Sequence, residues 1–423
     1  MAASLLFLPA GCNKKTNDTT STETSTMDIP PLFNRQGELA AATEWPKTQE
    51  KVAELTDQIK KDPSDIKARL QVAVIYLSEA RITGEHPYYY PAILKILDGV
   101  LAMDPKNFEA TTFNASVKMS QHQFAEAREI AERARQINPN NAYVYGVLVD
   151  ANVELGNYEE AVTMSDKMQG LKPSLESYSR ASYLREIYGS YPGAIDAMKL
   201  AVQAGLPGSE PYCWSKNILG QLYETTGQLD EAEKQYAGIL ALRPSYAFAI
   251  AGQARVQKAR KEYDKALATL TKAAAIMPEF SFHEEMAEIY ALQGNADKAT
   301  KKYADVVSML QADARSGHTV DLELCKLYTQ TGQLDSALFY GMNEYKKRPK
   351  NIDVNRALAW VAYNQKNFPQ ARQYSQVALR TGSKNPELLQ QAGAIELALG
   401  NTGQHDKLVA DARKTNPTFT LVN

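Results

Sequence analysis

The stretch CWSKNILGQLYETTGQLDEAEKQYAGILALRPSY, residues 213–246, carries the pattern that decides the fold. Its first half places Leu219 and Tyr223 on one helical face, and the Gly-Gln pair at 227–228 interrupts that helix. Its second half repeats the apolar spacing and ends at Pro244, because proline cannot donate a helical hydrogen bond. The stretch therefore predicts two short amphipathic helices joined by a tight turn.

An alanine from the second of these helices returns about every 34 residues along most of the chain. Eight of the ten positions at this spacing are alanine, and the first and last copies carry Ile93 and His405 instead. A fixed period of this length predicts a solenoid in which each helical pair stacks on the next. The eight residues are Ala127, Ala161, Ala194, Ala232, Ala266, Ala299, Ala337 and Ala371.

A second series of small residues recurs on the first helix of each pair. We expect the two series to face each other where the helices cross, because a larger side chain there would overpack the crossing by roughly 1–3 kcal/mol. The series consists of Ala73, Ala115, Gly220, Ala254, Ala287, Cys325, Ala359 and Gly393.

The pattern resembles the tetratricopeptide repeat, with Leu-Gly-x-x-Tyr in helix A, Gly before the turn, Ala-x-x-x-Tyr in helix B, and then Pro. It recurs in register, for example as Tyr290, Gly294, Ala299 and Tyr303. The resemblance implies an all-α fold, a right-handed α-α superhelix of about ten helix-turn-helix repeats over residues 66–419. It also implies a scaffold that binds proteins or peptides through its concave face.

The two ends of the stack depart from the repeat. Residues 46–65 contain VAELTDQIKK and predict a lone capping helix, and the last helix B, HDKLVADARK, is polar enough to face water. The first repeat carries an insertion, GEHPYYY at 84–90. Its three tyrosines either pack over the edge of the first repeat or contact a partner.

The beginning of the chain, MAASLLFLPAGC, resembles a bacterial lipoprotein signal that ends at Cys12, although an accidental apolar start is the alternative. Residues 13–26 are rich in Ser and Thr, so we expect a flexible tether over residues 13–45. Within it, residues 27–45 either lie along the stack or remain loose. The resemblance implies lipidation of Cys12 and attachment to the bacterial cell envelope, at the outer membrane or its periplasmic face.

Composition and motifs exclude several classes of protein. With 47 basic and 49 acidic residues and no basic tract, nucleic acid is not an expected partner. The helix that begins at His283-Glu284 lacks the second histidine of a zinc-protease motif, since Ala287 stands there. Cys213 and Cys325 have no CxxC neighbour, and a disulfide between them is not expected. We therefore predict a protein without enzymatic activity, cofactor or metal.

The concave face of such a superhelix is lined by helix A side chains that do not pack inside a repeat. Aromatic and arginine side chains there suit peptide recognition, since these types dominate binding hot spots. The runner-up is a small ligand or glycan captured in the same groove on Trp214, Trp360 and Tyr363. The predicted partner-binding residues are Tyr143, Arg180, Tyr183, Trp214, Asn217, Gln221, Arg255, Lys258, Glu288, Lys326, Arg356, Trp360 and Tyr363, with Asp150 beside them.

Overall fold

The protein is described by a computed structural model that covers residues 29–419, in which every regular element is a helix. Cys12 and the first part of the predicted tether lie outside these residues. The first half of the described chain contains α1 (Gly37–Ala40), α2 (Trp45–Lys61), α3 (Ile66–Thr83), α4 (His86–Met103), α5 (Phe108–Ser120), α6 (Phe124–Ile137), α7 (Ala142–Leu155), α8 (Tyr158–Leu171), α9 (Leu175–Ile187), α10 (Tyr191–Ala204), α11 (Glu210–Thr225) and α12 (Leu229–Leu240).

The second half continues the same alternation of helix A and helix B. Its α16 is longer than its neighbours and carries the chain farther before the next repeat begins. The helices are α13 (Ala247–Ala259), α14 (Tyr263–Ile276), α15 (Phe280–Leu292), α16 (Ala296–Arg315), α17 (Asp321–Gln330), α18 (Leu334–Lys347), α19 (Ile352–Asn364), α20 (Phe368–Ala378), α21 (Pro386–Ala398) and α22 (Thr402–Thr415).

Short sequence signals fix where several A helices begin. Asn107 lies two residues after Pro105 and caps α5, accepting a hydrogen bond from the backbone of Ala110 at 2.9 Å. Asn351 follows Pro349 at the same distance in sequence and caps α19. Proline ends the preceding helix, and the asparagine satisfies an otherwise unpaired backbone donor of the next one. The recurring prolines thus mark the boundary between repeats, as expected.

The predicted helix crossings are confirmed. All eight periodic alanines of helix B are buried, with at most 5% of their surface exposed. At one crossing the limit on size is especially clear, because Gly220 and Gly252 lie on either side of the Tyr236 ring. A Cβ atom on either glycine would come within 2.6 Å of that ring. The small residues are therefore required by the approach of neighbouring side chains.

Residues 29–44, here called the N-terminal arm, pack along the stack, so the predicted tether does not extend over them. The Arg35 guanidinium donates to both oxygens of Glu79 in α3, at 2.7 and 2.8 Å, and lies over the ring of Trp45. The Tyr76 hydroxyl donates to the carbonyl of Pro30. A buried ion pair and hydrogen bonds hold this segment in place. The spacing of apolar residues does not indicate such polar contacts, so the sequence pattern did not predict them.

The tyrosines of the insertion at 84–90 pack within the first repeat. Tyr89 and Tyr90 are buried in α4, and Tyr88 is half-buried against Phe33 of the arm. The hydroxyl of Tyr88 donates to the carbonyl of Pro31. Of the two possibilities left by the sequence, the structure therefore shows packing over the edge of the first repeat.

Successive turns of the superhelix touch each other. Hydrogen bonds join residues that are 194 or 197 positions apart, such as Gln123 with Gly317 and Asn351 with Glu154. Since one repeat spans about 34 residues, a superhelical turn takes just under six repeats. We call this line of contact the seam. Its joints are 38–44 with 243–245, 84 with 277, 121–123 with 317–319, 154–158 with 348–352, 187–189 with 381–384, and 227 with 416–418.

Four of the six seam joints have the same construction. At these joints, the tight turn between helix A and helix B in one turn of the superhelix meets the loop between two repeats in the next turn. At the joint of Gly156, the backbone carbonyl of that glycine accepts from Arg380, and Arg348 donates to Glu154 at 2.5 Å. The amide of Ile352 donates to the Tyr158 hydroxyl at 2.9 Å. Hydrogen bonds and ion pairs thus join the two turns at this joint, and Ile352 adds apolar contact by packing in one cluster with Val153 and Tyr158.

Candidate binding surface

The inner face of the superhelix, here called the groove, presents helix A side chains from successive repeats. The large aromatic residues predicted to line it are accessible: Tyr143, Tyr183 and Trp214 each expose 40–43% of their surface. Lys326 is exposed as well, and no ion pair holds it among the described residues. These side chains form the part of the predicted site that is free to contact a partner.

Asn217 is a correction to the predicted site, because it exposes only 4% of its surface. Its neighbours Ser179 and Ala251, at the same position in adjacent repeats, are buried too. This position faces the neighbouring A helices, so its side chain belongs to the packing between repeats. The side-chain oxygen of Asn217 is buried without a hydrogen-bond partner among the described residues.

Four of the five basic residues of the predicted site form ion pairs between adjacent repeats. Arg180 reaches Asp150 at 2.6 Å, and Lys258 reaches Glu288 at 2.7 Å. Burial opposes the charge of Lys258, but Glu288 outweighs this effect, so the pKa of Lys258 lies above its ordinary value. In each pair the partner is 30 residues away, one repeat along the stack. These cations therefore fix the angle between neighbouring repeats.

Arg255 has the densest set of contacts in the groove. Its guanidinium pairs with Glu224 at 2.9 Å on one side and with Glu285 at 3.2 Å on the other. It also lies over the ring of Tyr236 and donates to that hydroxyl. Arg255 thus connects three consecutive repeats, and a partner would have to displace an existing contact to bind it.

Tyr183 lies where two superhelical turns face each other. Burial raises its pKa well above the ordinary value, and the charges of Glu154, Asp353 and Glu186 raise it further. Asp353 belongs to α19, in the next turn of the superhelix. The Tyr183 ring is thus 40% exposed while carboxylates of both superhelical turns lie around it. The seam therefore closes the groove on its sides.

Several carboxylates in this space lack a cation. Burial raises the pKa of Glu186 to about 7, and Asp353 adds to the shift. Burial likewise raises the pKa of Glu284 to about 7, with Glu288 contributing and Lys326 opposing. Each of these two carboxyl groups is therefore partly protonated near neutral pH.

The C-terminal part of the groove carries the cluster of Arg356, Trp360 and Tyr363. The two rings are stacked on each other, with centroids 4.7 Å apart and planes within 5°. The guanidinium of Arg356 donates to Gln391 at 2.8 Å and to Glu387 at 3.1 Å, in the last repeat. Each ring thus covers one face of the other, and the predicted cluster is preorganised as a rigid edge.

Sequence reasoning did not find the seam. Its glycines, such as Gly156 and Gly189, adopt left-handed backbone conformations, but so do Gly294 and Gly332, which contact nothing across the seam. Every tight turn in the stack needs such a residue, so the sequence carries no mark of the turns that touch. Within residues 29–419, no group of three or more metal-ligating side chains is arranged to hold an ion. In the same range, no helix combines the length and apolarity needed to cross a membrane.

Comparisons with known proteins agree with the repeat assignment. Sequence models of the tetratricopeptide repeat match residues 118–174 and 215–246. The fold of residues 29–419 is therefore an all-α superhelix of the tetratricopeptide repeat type. Proteins of this class are typically scaffolds that bind other proteins or peptides.

The human mitochondrial import receptor subunit TOM70 is 24% identical to this chain over 240 residues. The match covers 53% of this chain and 39% of the receptor, so the chain spans well under half of the length of that relative. Yeast Tom70 aligns in structure with 13% identity and a TM-score of 0.38, covering 82% of this chain and 85% of that one. A tetratricopeptide repeat protein from Parabacteroides merdae aligns with 15% identity and a TM-score of 0.42, covering 63% and 98%.

Proposed function

We propose that the protein is a non-enzymatic scaffold that binds an extended segment of a partner protein inside its groove. The observation that carries this proposal is the row of accessible aromatic side chains on the inner face, Tyr143, Tyr183 and Trp214, in repeats that follow one another. Aromatic rings supply large contact areas at low conformational cost. Their distribution over three successive A helices suits a ligand that runs along the groove.

The seam supports an extended segment rather than a folded domain as the ligand. At the joints of residues 121–123, 154–158 and 187–189, the turn tips of one superhelical turn are hydrogen-bonded to the loops of the next. A folded partner would have to separate these contacts before it reached Tyr183. A polypeptide in extended conformation enters from the end of the superhelix and meets the rings without breaking them.

We test this proposal with photocrosslinking at single positions. A benzophenone amino acid replaces Trp214 inside the groove, and a matched variant carries it at Phe339, which exposes 61% of its surface on helix α18. We expect irradiation in cells to attach a partner protein to position 214 and to leave position 339 unmodified. Attachment at 339 alone would overturn the assignment to the groove. Attachment at neither position would direct the search to glycans and small ligands.

A second variant tests the C-terminal edge of the groove. Arg356→Glu combined with Trp360→Ala removes the guanidinium contacts to Gln391 and Glu387 and one of the two stacked rings. If the partner extends along the whole groove, capture through position 214 weakens in this variant. Undiminished capture would restrict the binding segment to the N-terminal repeats.

We further propose that the scaffold is anchored to a bacterial cell envelope by a lipid on Cys12. The support is the sequence itself, an apolar stretch ending in Pro-Ala-Gly-Cys and followed by a segment rich in Ser and Thr. Cys12→Ser should abolish labelling by an alkyne fatty acid and move the protein from the membrane fraction to the soluble one. Membrane association that persists without Cys12 would contradict the anchor and leave groove binding untouched.

A further inference from the structure

Three of the five histidines of the chain meet at one place on the seam. His86 begins α4 and stacks on Tyr90, with centroids 5.1 Å apart and planes within 10°. His318, from the loop after α16, lies 5.4 Å from the same Tyr90 ring and 6.1 Å from the ring of His86. His122 completes the group and hydrogen-bonds the carbonyl of Thr319 at 2.9 Å. We call this place the histidine joint.

We propose that the histidine joint is a pH-sensitive latch, in which protonation of His86 and His318 separates the two superhelical turns and opens the groove sideways. The two rings come from opposite sides of the seam, 232 positions apart in the sequence. Two imidazolium ions about 6 Å apart repel each other. That repulsion acts directly across the contact that closes the groove.

The groups that surround the joint do not neutralise these two charges. Arg81 of α3 faces His86 and adds a third positive charge. Glu323 of α17 lies 3.9 Å from the ring of His122, so this carboxylate pairs with His122 and not with His86 or His318. Asp313 of α16 is buried enough for its pKa to be raised, and it interacts with His122. The remaining charged or titratable groups near the joint are Tyr90, Glu85 and Glu279.

Burial accordingly lowers the pKa of His86 to about 4, and His318 adds to the shift. Burial also lowers the pKa of His318, with His122 contributing. A histidine whose pKa is lowered in the closed state favours that state only while it is neutral. The closed seam is therefore fully favoured above pH 6.5 and is lost as the pH falls from 6.5 towards 4. For His86 alone, linkage shifts the balance towards the open seam by at most about 30-fold at pH 5.

Amide hydrogen exchange reads this latch in the full-length protein. The amide of Thr319 donates across the histidine joint to the carbonyl of Gln121, at 3.0 Å. The amide of Ile352 donates across a joint without histidine, to Tyr158 at 2.9 Å, and serves as the internal control. We expect the protection factor of Thr319 to fall by an order of magnitude or more between pH 7.5 and pH 5. Protection of Ile352 should change much less.

The variant H86Q/H318Q keeps hydrogen-bonding side chains but removes both titrations, so its Thr319 protection should depend on pH much less than that of the wild type, with His122 as the histidine that remains in the joint. His283→Gln, a histidine away from the seam, is the matched control and should behave like the wild type. Equal acid loss of protection in H86Q/H318Q and wild type would overturn the proposal. The seam of the double variant could stay open at pH 7.5. In that case, NMR titration of His86 in the wild type tests the latch, and a measured pKa near 6.5 would refute it.

This inference concerns access to the groove and in that respect rests on the proposed function. The exchange measurement reads the seam and requires no partner. If Thr319 protection responds to pH but photocrosslinking at position 214 captures nothing, the latch is supported and the proposed binding function is contradicted. If position 214 captures a partner but Thr319 protection does not respond to pH, the binding function is supported and the latch is contradicted.

Discussion

One methyl group at Gly156 tests whether the seam contributes to stability. Gly156 ends α7 with φ +78°, and a Cβ atom there would lie closer than 3 Å to the backbone of Lys350 and Asn351 in the next superhelical turn. Gly332 ends the equivalent A helix of a later repeat with φ +76°, and a Cβ atom there would have nothing within 4 Å. The pair Gly156→Ala and Gly332→Ala therefore differs in the seam contact alone.

The common part of the effect is backbone strain. An alanine with a left-handed conformation costs about 1–2 kcal/mol, and the two φ values are nearly equal. Gly332→Ala should thus destabilise its repeat by about that amount. Any larger effect of Gly156→Ala measures the collision with the next turn.

The additional part follows from the contacts that the collision breaks. Relief of the clash moves backbone against backbone, because neither Lys350 nor Asn351 can rotate a side chain out of the way. Asn351 then loses its 2.9 Å bond to the carbonyl of Glu154, and Arg348 loses its 2.5 Å contact with the carboxylate. A neutral hydrogen bond contributes about 1 kcal/mol and a charged one about 1.5–3 kcal/mol. We therefore expect Gly156→Ala to cost about 3 kcal/mol more than Gly332→Ala.

The assay has to be local, because a repeat protein does not unfold as a single two-state unit. Protection of the Ile352 amide, which donates to the Tyr158 hydroxyl across this joint, reports the opening directly. It should fall by about two orders of magnitude in Gly156→Ala and stay unchanged in Gly332→Ala, as expected for about 3 kcal/mol. Equal protection in the two variants would refute the seam as a stabilising contact.

Three further substitutions test the packing and the charges. Ala266→Leu in a fully buried crossing should lower the local stability of its repeat by roughly 1–3 kcal/mol, measured by hydrogen exchange of the α14 amides, whereas Ala259→Leu on an exposed helix end should change little. Arg348→Met should cost up to about 3–5 kcal/mol because it removes the buried cation that pairs with both Glu344 and Glu154, while Lys347 keeps its 3.0 Å contact with Glu344. Arg348→Met/Glu344→Met should recover part of that loss, since Glu154 still lacks its cation. Glu186→Gln should raise the melting temperature at pH 8 but not at pH 4, because a carboxylate whose pKa is raised to about 7 destabilises the fold only when ionised.

The fold could be predicted from the sequence because its determinants are local and repeated. Six of the eight alanines of helix B have a member of the small-residue series of helix A twelve positions earlier in the same helical pair, so one period defines the crossing. Pro105 and Asn107 likewise mark a boundary within three residues. Such signals do not depend on the curvature of the stack.

The residues that line the groove were only partly predictable from the sequence, because contacts between adjacent repeats decide which side chains remain accessible. The exposed rings of Tyr183 and Trp214 follow from the face of helix A on which they lie. Whether Arg255 is free or paired depends on the side chains one repeat before and after it, and Asn217 was misplaced because its face packs against neighbouring A helices. The sequence pattern identifies the face, and the angle between repeats decides which of its residues remain accessible.

The seam depends on a still longer range. Small rotations from one repeat to the next accumulate over almost six repeats before Gly156 meets Lys350, so no local pattern distinguishes Gly156 from Gly332. The N-terminal arm follows the same logic. Arg35 finds Glu79 through a buried ion pair across 44 residues, and nothing in the spacing of apolar residues requires that pair.

The composition of the seam determines how the superhelix yields to force or to a partner. Inside each repeat, buried alanines and rings such as Tyr236 would lose apolar burial on separation, and water does not replace it. Across the seam, the main contacts are polar, as at Glu154 and Thr319, and water can satisfy those groups when the turns part. Separation of the turns therefore costs less than unfolding of a repeat. Under force, the superhelical turns should separate while the repeats stay folded. Single-molecule stretching should therefore show an extension at low force before the stepwise unfolding of repeats. Unfolding steps without that first extension would mean that the seam is as strong as the repeats themselves.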